Sequence, residues 1–370
     1  MASCIEQLDN FIETLSAKVA MADEGEGNVV KKKFQPVTIL DGGMGHLLRR
    51  MGVKIQGKVG ELERFLNVAT SNVTNPMLVE RAHLEYLKAG AQVITTNSYA
   101  CIPNVLTKTK IDRSGEKPTF TVGSEDYAVN KTVITHEDIK KYIQAAGKCA
   151  SNAKRIWNTE KTTGAGENIF NEQCKVAASI PPLQASYRYD LVESQEVLRR
   201  DYAFITETIE PYVDIFLCET MSSIEEGVAA GAAASRFNKP VWISFTLSEY
   251  KSQLGLLRSG ETMEDAVREC VEKVGSNLKA ILCNCSSIES INVAIPNIVN
   301  ALVALGQEDI EVGAYANGFE ATDEFIEELE DAECNIEKLA ENINVDIKIR
   351  DEYKKDMTPD AYFRACKVSV

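Results

Sequence analysis

Val213-Asp-Ile-Phe-Leu-Cys218, followed at once by Glu219-Thr220, is an apolar run of strand length broken only by Asp214. A strand with one wet face alternates in polarity, whereas a continuous run suits a parallel strand covered on both faces. Runs of the same kind stand on either side, at Val37–Leu40, Gln92–Thr95, Lys175–Ile180, Val241–Thr246, Lys279–Cys283 and Glu311–Tyr315. Helical patterns separate them. In Asn75–Ala89, Pro76 sits early, Met77, Val79, Ala82, Leu84 and Leu87 form an apolar side, and Gly90 ends the pattern. The rhythm is that of βα units, seven of which can be counted, and it predicts an α/β fold.

Two stretches break the rhythm. Residues 107–140 are polar and rich in Lys, Thr and Asp, and 321–356 carry the acidic run Glu324–Glu333; both read as insertions on a rim. Within the second, Ile343, Val345, Ile347 and Ile349 alternate with polar residues, the mark of a half-exposed strand. Residues 1–33 hold a short amphipathic pattern (Ile5, Leu8, Ile12, Leu15) and the polar connector Ala22–Asn28, and read as a flexible extension. The expected organisation is this extension followed by one domain over 34–370.

Bulk properties narrow the function. The chain has 370 residues, 44% hydrophobic and 26% charged, and no apolar run nears the roughly 18 residues that cross a bilayer. A formal charge of -15 works against a phosphate backbone as partner, which leaves small molecules and proteins. Ten cysteines are too sparse for a stapled secreted scaffold, and the N-terminus lacks a signal-peptide layout, so a reducing cytoplasm is expected.

The first strand runs into Asp41-Gly-Gly-Met-Gly45, where glycines let backbone N–H groups approach a small anion; the plain alternative is a tight loop without a ligand. Glu219 closes an apolar run, where a carboxylate without a partner is costly; the alternative is an ion pair on the rim. The three histidines make no metal or triad pattern.

These segments appear in a set: Leu40-Asp-Gly-Gly-Met-Gly45, Ala89-Gly-Ala-Gln-Val-Ile-Thr-Thr-Asn-Ser-Tyr-Ala100, Ala178-Ser-Ile-Pro-Pro-Leu183, Ser186-Tyr-Arg188, Leu217-Cys-Glu-Thr220, Ile243-Ser-Phe-Thr246, Leu257-Arg-Ser-Gly-Glu261 and Asn284-Cys-Ser286. In this order they resemble the homocysteine S-methyltransferase family, most of them at predicted strand ends. The resemblance implies a (β/α)8 TIM-type barrel whose site lies at the C-terminal face of the strands. It further implies Zn²⁺-dependent methyl transfer to homocysteine, giving methionine. The Ser-Ile-Pro-Pro-Leu and Ser-Tyr-Arg segments are most similar to the branch that uses a sulfonium donor, S-methylmethionine or S-adenosylmethionine.

Only a few per cent of a free thiol is thiolate at neutral pH, and zinc held by cysteine thiolates keeps the substrate sulfur deprotonated. The family's Asn-Cys pair falls on Asn284-Cys285 and makes Cys285 a metal ligand by resemblance; a buried cysteine that merely fills space is the alternative. By the same match Asp41 and Glu219 bind the substrate amino group, and Gly42, Gly43 and Thr96 its carboxylate. Thr95 and Thr96 have a structural alternative as strand-end residues. Tyr99, Tyr187, Phe245, Tyr315 and Phe319 are candidates to face a cationic donor, each with core packing as alternative.

The family pattern closes with an eighth strand and a Gly-Gly-Cys-Cys segment that supplies the other two zinc ligands. Here Met357–Phe363 resembles the helix before that strand, and Cys334 and Cys366 lie in no such context. The expectation is a chain lacking the eighth strand and two ligands. It is truncated, or completed by residues 343–350, or an inactive barrel that binds an amino acid or a protein partner, with truncation the favoured reading.

Overall fold

The computed structural model describes residues 37–53, 62–103, 109–112, 119–122, 132–133, 136–162 and 173–317. Two units divide the chain, Met1–Thr38 and Ile39–Val370, and every element named below belongs to the second. In order these are α1 (Met44–Arg50), α2 (Leu62–Thr74), α3 (Pro76–Lys88), β1 (Val93–Thr95), β2 (Thr109–Asp112), β3 (Thr119–Val122), β4 (Thr132–Val133), α4 (His136–Thr162), β5 (Lys175–Ile180), α5 (Gln195–Ile209), β6 (Ile215–Met221), α6 (Ile224–Ser235), β7 (Val241–Phe245), α7 (Met263–Val274), β8 (Leu278–Asn284), α8 (Ile288–Ala304) and β9 (Glu311–Tyr315).

Six strands form one sheet in the order β1-β5-β6-β7-β8-β9, each pair parallel. Sequential order with a helix in each crossover is a curled βα arrangement, half of a barrel. The apolar runs are continuous because both faces are covered. One face packs Val93, Ala177, Ile215, Leu217, Trp242, Ala280 and Leu282 against each other, and the other packs Phe216, Cys218, Ile243, Phe245, Ile281 and Cys283 in the cluster that includes the helices.

The helices begin where the strands let go. Ser223, Thr262 and Ser287 cap α6, α7 and α8, their hydroxyls accepting from the N–H groups of Glu226, Asp265 and Ser290, each worth about 1 kcal/mol. In α6 a Cβ at Gly227 or Gly231 would stand 2.7 Å from Phe245 or Ile243, so only glycine lets this helix lie so close to β7.

Three expectations need correction. Val37–Leu40 is no full strand: Leu40 alone bridges to Val93, with Asp41 N–H donating to Val93 O at 3.0 Å, while Val37 is exposed. Strand β6 starts later than Val213 and continues to Met221, past Glu219. The stretch 107–140 contains a three-stranded antiparallel sheet, β3-β2-β4, and its last residues belong to α4. The pattern at Ile5–Leu15, the stretch 321–356 with its alternation at 343–350, Phe319, Cys334 and Cys366 lie outside the described residues.

Candidate active site

Asp41 follows the Leu40 bridge and turns its carboxylate toward β1. Thr95 holds it twice, backbone N–H to Oδ2 and hydroxyl to Oδ1, both at 2.7 Å. Burial nevertheless pushes the carboxyl up to about 7 against the two Thr95 bonds, and the charge of Glu219 adds to the rise. Gly42 and Gly43 are exposed beside it. A Cβ on Gly42 would approach the Tyr86 ring to 3.2 Å, so the absent side chain lets α3 pack against the turn, and Gly43 caps α1.

Glu219 stands half-buried near the end of β6. Its Oε1 accepts from the Ser179 hydroxyl on β5, and its Oε2 accepts from the Tyr315 hydroxyl on β9 at 3.0 Å. Burial raises its pKa against both bonds. Among the described residues no lysine or arginine pairs with Asp41 or Glu219, so the ion pair weighed for Glu219 is not formed there.

Cys285 is the first residue after β8, its N–H donating to Tyr315 O at 3.1 Å. Burial and then the Glu219 charge push its thiol up to about 11, while Asn284, Thr220 and Tyr187 hydrogen-bond the sulfur and oppose the shift. Cys283 and Cys218 are fully buried in the cluster shared with the helices. Left-handed backbone gathers at the strand ends: Tyr187, Thr220 and Cys285 have φ of 67°, 62° and 49°, and Asn238 is the only other non-glycine case among the described residues. Such residues cost about 1–3 kcal/mol each and persist only where the surroundings enforce them.

The other candidates divide. Thr96 N–H donates to Ala177 O, and its Oγ1 accepts from Ser179 N–H at 3.0 Å and lies 2.8 Å from the Ser98 hydroxyl, which itself donates to Ser179 O. Both hydrogen-bonding functions of that side chain serve the β1–β5 junction, so it would reach a substrate carboxylate only by releasing Ser98. Tyr99 is tied to Ser186 at 2.7 Å, Phe245 is core, and the guanidinium of Arg258 lies 4.7 Å over the Tyr187 ring. His83 is buried and held neutral, its pKa pushed down to about 3 by burial.

The homocysteine S-methyltransferase family model matches residues 38–347. The chain belongs to that family. Among its relatives, Homocysteine S-methyltransferase 1 of Brassica oleracea var. italica is 27% identical over 304 residues, covering 77% of each chain. Homocysteine S-methyltransferase of Escherichia coli is 24% identical, covering 71% of this chain and 74% of that enzyme. A solved structure of the Escherichia coli homocysteine methyltransferase MmuM, described as its metallated form, superposes with a TM-score of 0.57 at 20% identity, covering 76% of this chain and 91% of that one. This structural likeness supports the fold.

The resemblance led to the expectation of zinc, and the donor set tests the fit. Among the described residues no three His, Cys, Asp or Glu side chains are grouped to hold a metal, and Cys285 is the one described cysteine that is only partly buried. The described part of this homocysteine S-methyltransferase chain therefore does not fit a three-thiolate site, and no step is derived through one. Sequence reasoning missed Ser179, the Tyr315 hydroxyl and the part of Thr95 in holding Asp41. The available signal was a serine inside the buried run Lys175–Ile180, a polar group that must find a partner.

Proposed function

We propose that this chain is a homocysteine S-methyltransferase that binds homocysteine at the strand ends and transfers to its sulfur a methyl group from a sulfonium donor, S-methylmethionine or S-adenosylmethionine, giving methionine. The observation that carries the reading is the linkage of these residues across the strand ends: Tyr315 donates its hydroxyl to Glu219 and accepts the Cys285 N–H at its carbonyl, Thr95 holds Asp41, and neither carboxylate has a cationic partner among the described residues. Two desolvated carboxylates without a cation suit an incoming ammonium, which relieves their repulsion.

In this reading Asp41 and Glu219 hold the amino group, and Gly42, Gly43 and, once it releases Ser98, Thr96 hold the carboxylate. Thr95, Ser179 and Tyr315 fix the two acids, and the homocysteine sulfur lies toward Cys285. Cys285 is the single zinc ligand assigned, and the described residues complete no zinc site around it. The finer fold reading is a (β/α)8 TIM-type barrel over 34–370, insertions included, with 1–33 as an extension; it draws support from the sequential parallel order. A cytoplasmic setting is supported by described cysteines that are all free. A net charge of -15 supports small molecules over nucleic acid as partners, and among the described residues no helix is long and apolar enough to cross a membrane.

The test is calorimetry with L-homocysteine, followed by methionine formation from each sulfonium donor with added zinc. Binding with turnover establishes the reading. Binding without turnover favours the alternative, an inactive barrel that holds an amino acid or a protein partner, to which the presence of Cys285 alone at the strand ends among the described residues points. No binding rejects both the enzyme and the amino-acid barrel.

A further inference from the structure

Strand β6 does not end in ordinary extended backbone. Its register against β7 shifts between Cys218 and Met221, and within that shift Thr220 adopts φ 62°. A β-branched residue is a poor occupant of the left-handed region. The support comes from β8. Asn284 is fully buried; its Oδ1 accepts from Thr220 N–H at 2.9 Å and from the Ser244 hydroxyl at 2.7 Å, and its Nδ2 donates to Thr220 Oγ1 at 2.8 Å. One amide thus clamps Thr220 at both backbone and side chain and anchors the clamp to β7.

The consequences reach both halves of the mouth. The kink at Thr220 sets where Glu219 leaves the strand to meet Ser179 and Tyr315. Because Thr220 Oγ1 accepts from Asn284, its own proton is left to donate, and Cys285 sulfur lies among its partners. Cys285 is in turn the residue after Asn284. A side chain whose task was only to fill the core would need neither two bonds to one left-handed residue nor this place between the acid and the thiol.

We propose that Asn284 is a positioning residue: by holding Thr220 in its left-handed conformation it fixes the Glu219 carboxylate relative to Cys285, and so sets homocysteine affinity without touching the substrate. The substrate clause rests on the function proposed above. The experiment compares wild type, Asn284→Ala, Thr220→Gly and the double variant, each measured for L-homocysteine affinity by calorimetry and for thermal unfolding. Glycine enters the left-handed region without the clamp. Asn284→Ala is expected to weaken homocysteine binding at least about tenfold, a loss of about 1.4 kcal/mol, and Thr220→Gly placed in that background is expected to restore most of it. A purely structural role would lower the melting temperature while leaving the affinity of the folded protein unchanged, and glycine at 220 would rescue nothing. Unchanged affinity in Asn284→Ala, or a double variant no better than Asn284→Ala, overturns the proposal. Failure of wild type to bind homocysteine rejects the proposed function instead. The clamp is then read from unfolding alone: recovery of melting temperature by glycine at 220 upholds it, and additive losses overturn it.

Discussion

The two ends of the parallel sheet use the same kind of residue in opposite ways. At the N-terminal ends, Asp214 before β6 takes the Lys154 ammonium at 2.7 Å and Val176 N–H at 2.7 Å, and Glu210 meets Lys239 at 2.7 Å. At the C-terminal ends, Asp41 and Glu219 meet only hydroxyls and a backbone N–H among the described residues, and burial drives both toward protonation. Acids given a cation at one end serve the fold. In the proposed function, acids denied one at the other receive a cation that arrives from outside. The left-handed residues sharpen the contrast, since Thr220 and Cys285 sit at the ends of β6 and β8 on the side of the denied acids.

The comparison can be broken in several ways. The largest effect is expected from Cys285→Ser placed in a chain extended with the family's Gly-Gly-Cys-Cys segment, where it should abolish zinc retention and methyl transfer; metal analysis and methionine formation measured together decide, and full zinc in the variant would return Cys285 to core packing. Next comes Glu219→Ala, expected to weaken homocysteine binding at least about tenfold through loss of a charged hydrogen bond. Its melting temperature should hold or rise, because a desolvated carboxylate has been removed. A large drop would place Glu219 with the structural acids.

At the other end, Lys154→Met should cost about 1 kcal/mol of stability in denaturant titration, a modest figure because both partners are partly exposed. Homocysteine affinity should not move. The smallest effect concerns pH. The folded pKa of Asp41, about 7, lies above the ordinary 3.8 of a free aspartate, so its contribution to stability is fully present below 3.8 and is lost as pH rises through about 7. Asp41→Asn escapes that loss, so its melting temperature should gain on wild type by about 1.5 °C between pH 6 and pH 7, the equivalent of about 1 kcal/mol. A constant difference across that range would mean Asp41 does not titrate there.

Much of the sheet was legible because the signal and the cause coincide. Lys175–Ile180 and Glu311–Tyr315 are strands to the residue. The first of them is buried on both faces, and burial on both faces is what a continuous apolar run records. The true end of β6 was not legible: apolar periodicity carries no trace of a left-handed Thr220, whose conformation is imposed by a side chain 64 residues away. Asn284 could be seen only as the companion of Cys285, and Tyr315 only as an aromatic face, because which atom of a polar side chain meets which partner is decided by register across strands. The β2–β4 sheet escaped for a related reason. Short polar strands that pair only with each other leave no apolar run to read.

The Asp41 carboxyl, near pH 7, also makes the mouth a store for a proton. An ammonium that settles beside it favours the ionised form, so homocysteine binding at neutral pH should expel part of a proton into solution. The heat of binding would then change with the ionisation enthalpy of the buffer, larger in magnitude or smaller according to which buffer takes the proton up, while the affinity at fixed pH stays the same. In Asp41→Asn that buffer dependence should shrink, which turns the acid's environment into something a calorimeter can count.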